Sequence, residues 1–216
     1  MSMHRRLELL EEKGFCILQD YQGTMPDPSE WEGLEYMDWK SGGDTNFAPL
    51  ASALGEMECH GFWEHGKSDK DGIWTKNIES CPTIKSYVES VHGRYGRVRI
   101  IKLNPSTEEE ARKQIHLDDN NRLNPEDEGW VVRSWLELTD VPGTKFILRG
   151  EKDDPSTETQ IPLHKGMQFV IDSERMWHVV HNVGPQPRYS LITSWESNDA
   201  LEAWMRSQLP VTAGVR

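Results

Sequence analysis

Trp177-His178-Val179-Val180-His181-Asn182-Val183-Gly184-Pro185-Gln186-Pro187-Arg188-Tyr189-Ser190 reads as a strand, a Pro/Gly turn and a second strand. Upstream the same punctuation recurs. Arg97 to Leu103, Trp130 to Leu138, Lys145 to Arg149 and Gln168 to Ile171 have strand character, as do His178 to Val183 and Tyr189 to Ser194. Turn chemistry separates them at Asn104-Pro105, Val141-Pro142-Gly143 and His164-Lys165-Gly166. Six short strands without long helices between them predict an antiparallel sandwich or barrel.

The flanks add helices. Arg5 to Lys13 carries Leu7, Leu9 and Leu10 at helical spacing, stops at Gly14 and runs into a short strand, Phe15 to Leu18. Ile84 to Val91 and Asp199 to Gln208 are the other helix candidates. Gln19 to about Ser80 shows no sustained period and reads as long loops with short helices. The 216 residues suffice for one domain: a helical and loop part (1–95) packing on a barrel, a β-helix core (96–198), and a C-terminal helix and tail (199–216).

Composition narrows the function classes. Against 24 basic side chains stand 36 acidic ones, a formal charge of -12, which repels phosphate backbones and anionic membrane surfaces. The expected partner is a small molecule or a peptide, with no nucleic acid and no membrane. Apolar runs are short and the N-terminus is charged, so the expected location is cytoplasmic. Cys16, Cys59 and Cys81 form no CxxC pair.

His116-Leu117-Asp118 puts an imidazole and a carboxylate on one side of an extended segment. With eight His and fourteen Asp in the chain, about half such a motif arises by chance, so the pair alone decides nothing. His178 supplies a third ligand. Two imidazoles and one carboxylate on one face of an octahedral ion leave three positions open, as in non-haem Fe(II) oxygenases rather than closed zinc sites. A 2-oxo acid fills two of these and O2 the third. Arg188, ten residues after His178 on the next strand, is placed to clamp a distal carboxylate, and Ser190 shares its parity.

Rivals exist for each ligand. His181 lies three residues from His178 at opposite parity, and Asp119 could replace Asp118 if the segment were helical. Arg133 is either a surface arginine or part of the site, since Val132, Ser134, Leu136 and Leu138 form the more core-like face. Cys59, His60 and His65 lack a fourth ligand at close spacing and read as ordinary polar residues. Glu108 to Glu110 and Glu126-Asp127-Glu128 read as solvated loops flanking the site, the second placed where a lid could form. Trp130, Trp135, Trp177, Trp195 and Trp204 are barrel core, with one or two lining a pocket.

Taken in order, Arg97 to Leu103, His116-x-Asp118, Val132-Arg133-Ser134-Trp135-Leu136, Lys165-Gly166, His178-x-Val180-x-Asn182 and Arg188 resemble the 2-oxoglutarate and Fe(II)-dependent oxygenases, within them the aspartyl/asparaginyl β-hydroxylase and cis-proline hydroxylase-like branch. The resemblance covers about Arg97 to Trp204. It implies a double-stranded β-helix of the jelly-roll, cupin-like kind. It also implies His116, Asp118 and His178 as iron ligands, Arg188 as the 2-oxoglutarate anchor, and Arg133 as a second arginine toward co-substrate or substrate. Where that family often has a histidine two positions after the strand arginine, this chain has Trp135. Asp118 occupies the coordination position a halide would need, so hydroxylation of a C–H bond of an amino acid or amino-acid residue is expected. The alternatives are a cupin-like metal-dependent isomerase or lyase, and a non-enzymatic β-sandwich that binds a small ligand.

Overall fold

The run Val131-Val132-Arg133-Ser134-Trp135-Leu136-Glu137 is buried along its whole length. Val132 and Leu136 enter one apolar cluster, while Trp135 enters another. A strand faces two interiors in this way only when it is central in a sheet that is covered on both sides.

A computed structural model of the chain describes residues 7–38, 45–58, 60–124 and 129–210. The strands are β1 (Phe15–Ile17), β2 (Met37–Asp38), β3 (Thr45–Ser52), β4 (Ile73–Trp74), β5 (Tyr95–Leu103), β6 (Val131–Glu137), β7 (Lys145–Arg149), β8 (Glu158–Pro162), β9 (Gln168–Ile171), β10 (Trp177–His181) and β11 (Arg188–Glu196). The helices are α1 (Glu8–Glu11), α2 (Pro82–Ser90), α3 (Glu108–Lys113) and α4 (Asp199–Ser207).

The strands pair into a large sheet, β1-β9-β6-β11-β5-β3-β2 with β4 on β3, and a small one, β10-β7-β8. Every pairing is antiparallel. An isolated bridge between His116 and His178 adds the His116 segment to the small sheet beside β10. From β5 onward the chain therefore steps large, small (His116), large, small, small, large, small, large. Two four-membered layers alternating in this way form a double-stranded β-helix, the predicted fold.

Outside the large sheet, α2 and α4 bury Ile84, Tyr87, Val88, Leu201 and Met205 against Val98, Ile100, Leu191 and Trp195. Between the sheets Trp135, Phe146 and Phe169 interlock, with Trp135 stacked on Phe169 and edge-on to Phe146. Trp195 Nε1 donates to Ser134 Oγ at 2.8 Å, satisfying the indole where it is wholly buried.

The six sequence-read strands are all present, two of them with the ends as read and the others with ends displaced by at most two residues. Three readings need correction. The segment 19–80 contains an eight-residue strand, β3, beside β5 in the large sheet, and not only loops with short helices. Its last six residues are all buried and Pro49 sits inside it, so neither alternation nor propensity marked it. Glu108 to Glu110 are the first turn of α3, where Thr107 and Glu110 form a capping box and acid residues meet the positive helix end. Polar β8 went unread. The start of the first helix (Arg5, Arg6), Cys59, Glu126-Asp127-Glu128 and the tail 211–216 lie outside the described residues.

β5 begins against the loop that carries Asp69. A Cβ on Gly96 would fall 2.1 Å from the Asp69 carbonyl oxygen and 2.2 Å from its Oδ1. Asp69 accepts from Arg97 N at 2.7 Å, Arg97 Nε at 2.6 Å and Ser194 Oγ at 3.1 Å, so it cannot retreat. Gly96→Ala is expected to cost about 1–3 kcal/mol as overpacking, read as a lower urea midpoint at unchanged slope.

Candidate active site

Exchange of two backbone hydrogen bonds, His116 N to His178 O at 3.2 Å and His178 N to His116 O at 2.9 Å, pins the loop after α3 to β10. The two rings then lie 4.5 Å apart. Asp118 N donates to Ser173 O at 2.9 Å, which turns its carboxylate toward them. Asp118 Oδ1 is 3.8 Å from His116 Nε2, and Asp118 Oδ2 is 3.8 Å from His178 Nε2.

Each imidazole has its far nitrogen against a main-chain carbonyl: His116 Nδ1 at 2.9 Å from Gln114 O, His178 Nδ1 at 3.0 Å from Met176 O. A carbonyl only accepts, so these contacts put the proton on Nδ1 and leave both Nε2 lone pairs aimed at Asp118. Among the described residues these three side chains form the grouping able to share an ion, all ligand atoms within 4.8 Å of one another. Asp118 Oδ2 is buried without a hydrogen bond. Arg133 Nη1 stands 2.9 Å away, an ion pair off the hydrogen-bonding direction. A buried carboxylate oxygen without a hydrogen bond, in a carboxylate 3.8 Å from each of two imidazole nitrogens, fits a divalent cation.

Burial alone would raise the Asp118 carboxyl, but Arg133, His178 and His116 together hold it well below the usual carboxylate range. Burial also pushes His178 down, to about 4, with Asp118 opposing. Both groups are thus in the ligating state, carboxylate and neutral imidazole, at neutral pH.

The rival ligands lie elsewhere. His181 is buried on the opposite side of β10, its Nε2 3.2 Å from Ser106 O. Asp119 is exposed and 3.5 Å from Arg122. His60 and His65 pair with Glu64 and Glu58.

Beside the triad opens a cavity of about 550 Å3. Its wall includes Arg97 and Arg99 of β5, Arg133 and Trp135 of β6, and Arg188 and Ser190 of β11. Arg133 is buried; besides Asp118 it holds Asn120 Oδ1 at 2.8 Å, a carbonyl shared with Arg97. Trp135 presents an apolar surface, its ring 6.2 Å from that of His178.

Arg188 is 2 % exposed and bonds Glu137, which is wholly buried. It is therefore a paired cation. Burial raises the Glu137 carboxyl against the pull of Arg188. The Nε of Arg188 and the Oγ of Ser190 are buried without hydrogen-bond partners. Glu137, Asn120, Asp69, Arg97 and Arg99 were not singled out from the sequence. The signal for the last two was there: Arg97-x-Arg99 puts two cations on one face of an apolar strand.

No family model matches the chain, and no curated protein matches it. Solved structures do. An oxidoreductase of the 2OG-Fe(II) oxygenase family from Burkholderia pseudomallei superposes with a TM-score of 0.56 at 13 % identity, covering 91 % of this chain and 95 % of that one. A Pseudomonas putida prolyl-4-hydroxylase gives 0.51 at 11 % identity, over 88 % and 96 %. HygX from Streptomyces hygroscopicus, with nickel and 2-oxoglutarate bound, gives 0.51 at 10 % identity, over 88 % and 85 %. At these identities the likeness shows the fold, the double-stranded β-helix.

Two outcomes are expected. His178 stays neutral in the folded chain down to about 4 but binds a proton near 6.5 when unfolded. Its contribution to the stability of the metal-free protein is therefore complete above about pH 6.5 and is lost as pH falls toward 4. Denaturant titrations across that window should show the decline, and His178→Gln should flatten it. Glu137→Ala leaves the Arg188 cation buried and unpaired, and is expected to cost about 3–5 kcal/mol in chemical denaturation.

Proposed function

We propose that the chain is an Fe(II)- and 2-oxoglutarate-dependent dioxygenase, with His116, Asp118 and His178 holding the iron and Arg188 with Ser190 receiving the distal carboxylate of the co-substrate. The observation that carries this reading is the pair of unsatisfied buried donors, Arg188 Nε and Ser190 Oγ, in the wall of the cavity beside a His/Asp/His set. A carboxylate there would satisfy both. HygX carries a metal and 2-oxoglutarate on the same fold, which supports it.

When bound, the iron, O2 and 2-oxoglutarate supply the oxidation: one oxygen atom goes to the substrate C–H bond, the other to succinate, and CO2 leaves. The chain's own side chains orient and exclude. The main-chain carbonyls behind His116 and His178 fix both ring tautomers, and Arg133 fixes Asp118 while keeping it charged. Arg188 can serve a second carboxylate because Glu137 takes one terminal nitrogen and leaves Nε. Trp135, Phe146 and Phe169 form a packed apolar cluster beside the site.

Asp118 as a retained ligand supports hydroxylation rather than halogenation. We assign the substrate to amino acids or amino-acid residues, in line with the order of motifs shared with the β-hydroxylase and cis-proline hydroxylase-like branch.

The test is succinate release from anaerobically purified protein given Fe(II) and 2-oxoglutarate and then O2. Wild type should turn over slowly even without its substrate, while His178→Ala and Arg188→Ala should fall by at least about 100-fold, the scale of losing a ligand or a bidentate charged contact. Wild-type protein that binds neither Fe(II) nor 2-oxoglutarate by calorimetry would overturn the assignment. A metal-dependent activity indifferent to Arg188→Ala would point to the isomerase or lyase alternative.

A further inference from the structure

Three buried polar atoms in one corner of the barrel lack partners, and a carboxylate answers only two of them. Glu137 of β6 lies directly opposite Ser190 of β11 in the ladder, and Arg188 lies two residues from Ser190. All three side chains therefore share the face on which Arg188 and Ser190 line the cavity. Arg188 Nη2 donates to Glu137 Oε1. Arg188 Nε, Ser190 Oγ and Glu137 Oε2 are buried without hydrogen bonds. A carboxylate accepts from the guanidinium and from the hydroxyl but carries no hydrogen for Glu137 Oε2.

Charge is out of balance by the same amount. Arg188 and Glu137 form a neutral pair, with side chains 2 % and 0 % exposed. A second carboxylate on that guanidinium leaves one negative charge in excess where water does not reach, and two carboxylates sharing a site resist being ionised together. The surroundings offer little relief. On β6 the next cation on this face is Arg133, engaged with Asp118. β5 places Leu103 and Ile101 opposite Arg188 and Ser190. Gly166 and Met167 meet Glu137 through main-chain hydrogen bonds. His164, in the turn before β9, acts on Glu137 from a half-exposed ring that holds Asp20 at 2.9 Å. Burial already raises the Glu137 carboxyl.

One proton on Glu137 Oε2 meets both needs. Protonated, Oε2 can donate to Ser190 Oγ, whose lone pairs accept while its own hydrogen goes to the incoming carboxylate. Ionised, Oε2 would compete with that carboxylate for the single hydrogen of Ser190. Oε1 can accept from Arg188 in either state.

We infer that Glu137 takes up a proton from solvent when a carboxylate is seated on Arg188 and Ser190, so that the 2-oxo diacid enters together with one hydrogen ion. This inference rests on the dioxygenase reading above, and the experiment separates the two. The proton leaves a buffer acid and forms an O–H bond at Oε2, and nothing is oxidised or reduced. Glu137 then holds its proton to higher pH in the complex than in the free protein. Affinity for the diacid is accordingly constant at low pH and declines as pH rises between those two values, by up to about tenfold per pH unit.

Anaerobic protein loaded with Fe(II) is titrated calorimetrically with 2-oxoglutarate and with 2-oxovalerate, which lacks the distal carboxylate. Buffers of differing ionisation enthalpy are used between about pH 6 and 9. Within that range wild type should take up about one proton with 2-oxoglutarate and none with 2-oxovalerate, and its affinity for 2-oxoglutarate should fall at least about tenfold. Glu137→Gln, whose amide keeps a hydrogen for Ser190 at every pH, should take up no proton and hold its affinity within about twofold across the range. A purely structural partner of Arg188 would weaken binding equally at every pH. No uptake with 2-oxoglutarate anywhere in the range, equal uptake with both acids, or uptake that persists in Glu137→Gln overturns the role of Glu137 while the dioxygenase stands. Should Glu137→Gln fail to fold, the wild-type comparison of the two acids decides alone. If 2-oxoglutarate itself fails to bind, the dioxygenase reading falls first.

Discussion

The pair of backbone hydrogen bonds between His116 and His178 is the constraint on which the site depends. Strand β10 is held by its ladder to β7, but the segment after α3 is irregular and would otherwise be free to drift. The bridge makes that segment a fourth member of the small sheet. It thereby fixes at once the spacing of two imidazoles, the turn that presents Asp118, and the closure of the barrel near its mouth. Because the contact is main chain to main chain, it is independent of which side chains these positions carry. The geometry comes from the fold and the chemistry from residue identity.

Burying charge beside that bridge is costly unless each ion is matched, and matching governs the barrel interior. Arg133 meets Asp118, Arg97 meets Asp69, Arg188 meets Glu137, and Asn120 lends its carbonyl to two of the arginines. These pairs differ in what they leave over. Arg97 and Asp69 are engaged with each other, main chain and Ser194. Asp118 retains an oxygen without a hydrogen bond, and Arg188 retains a donor. Arg133 Nε and Glu137 Oε2 are likewise buried without hydrogen-bond partners. An interior tuned only for stability would place apolar residues of similar volume there.

Much of this was legible in sequence because antiparallel strands bounded by Pro and Gly announce themselves. The unit His178 to Ser190 carries strand, turn and strand in one reading frame, so the parity of Arg188 and Ser190 followed from that of one another. What failed to show has a common cause. β3 is buried on both faces and interrupted by Pro49, and β8 is polar, so neither has the period-two contrast from which a strand is read. Residues 108 to 110 looked like a solvated acidic loop because the capping role of Thr107 depends on a helix that three turn-forming residues upstream, Asn104-Pro105-Ser106, obscure. Glu137 could not be assigned at all. Its partner is 51 positions away and its meaning exists only once β6 and β11 are paired.

Trp135 ties the aromatic core to the candidate site. The indole stacks on Phe169, meets Phe146 edge-on and lies 6.2 Å from the His178 ring. The apolar floor lowers the local dielectric, which strengthens every ion pair above it and raises the cost of leaving any unmatched. The arginines of the wall stand on the same sheet: Arg133 two residues along on β6, Arg188 on β11, and Arg97 and Arg99 on β5. The tryptophan and the arginine-rich wall are therefore two parts of one arrangement, a dry floor that sharpens electrostatics and a rim that uses it.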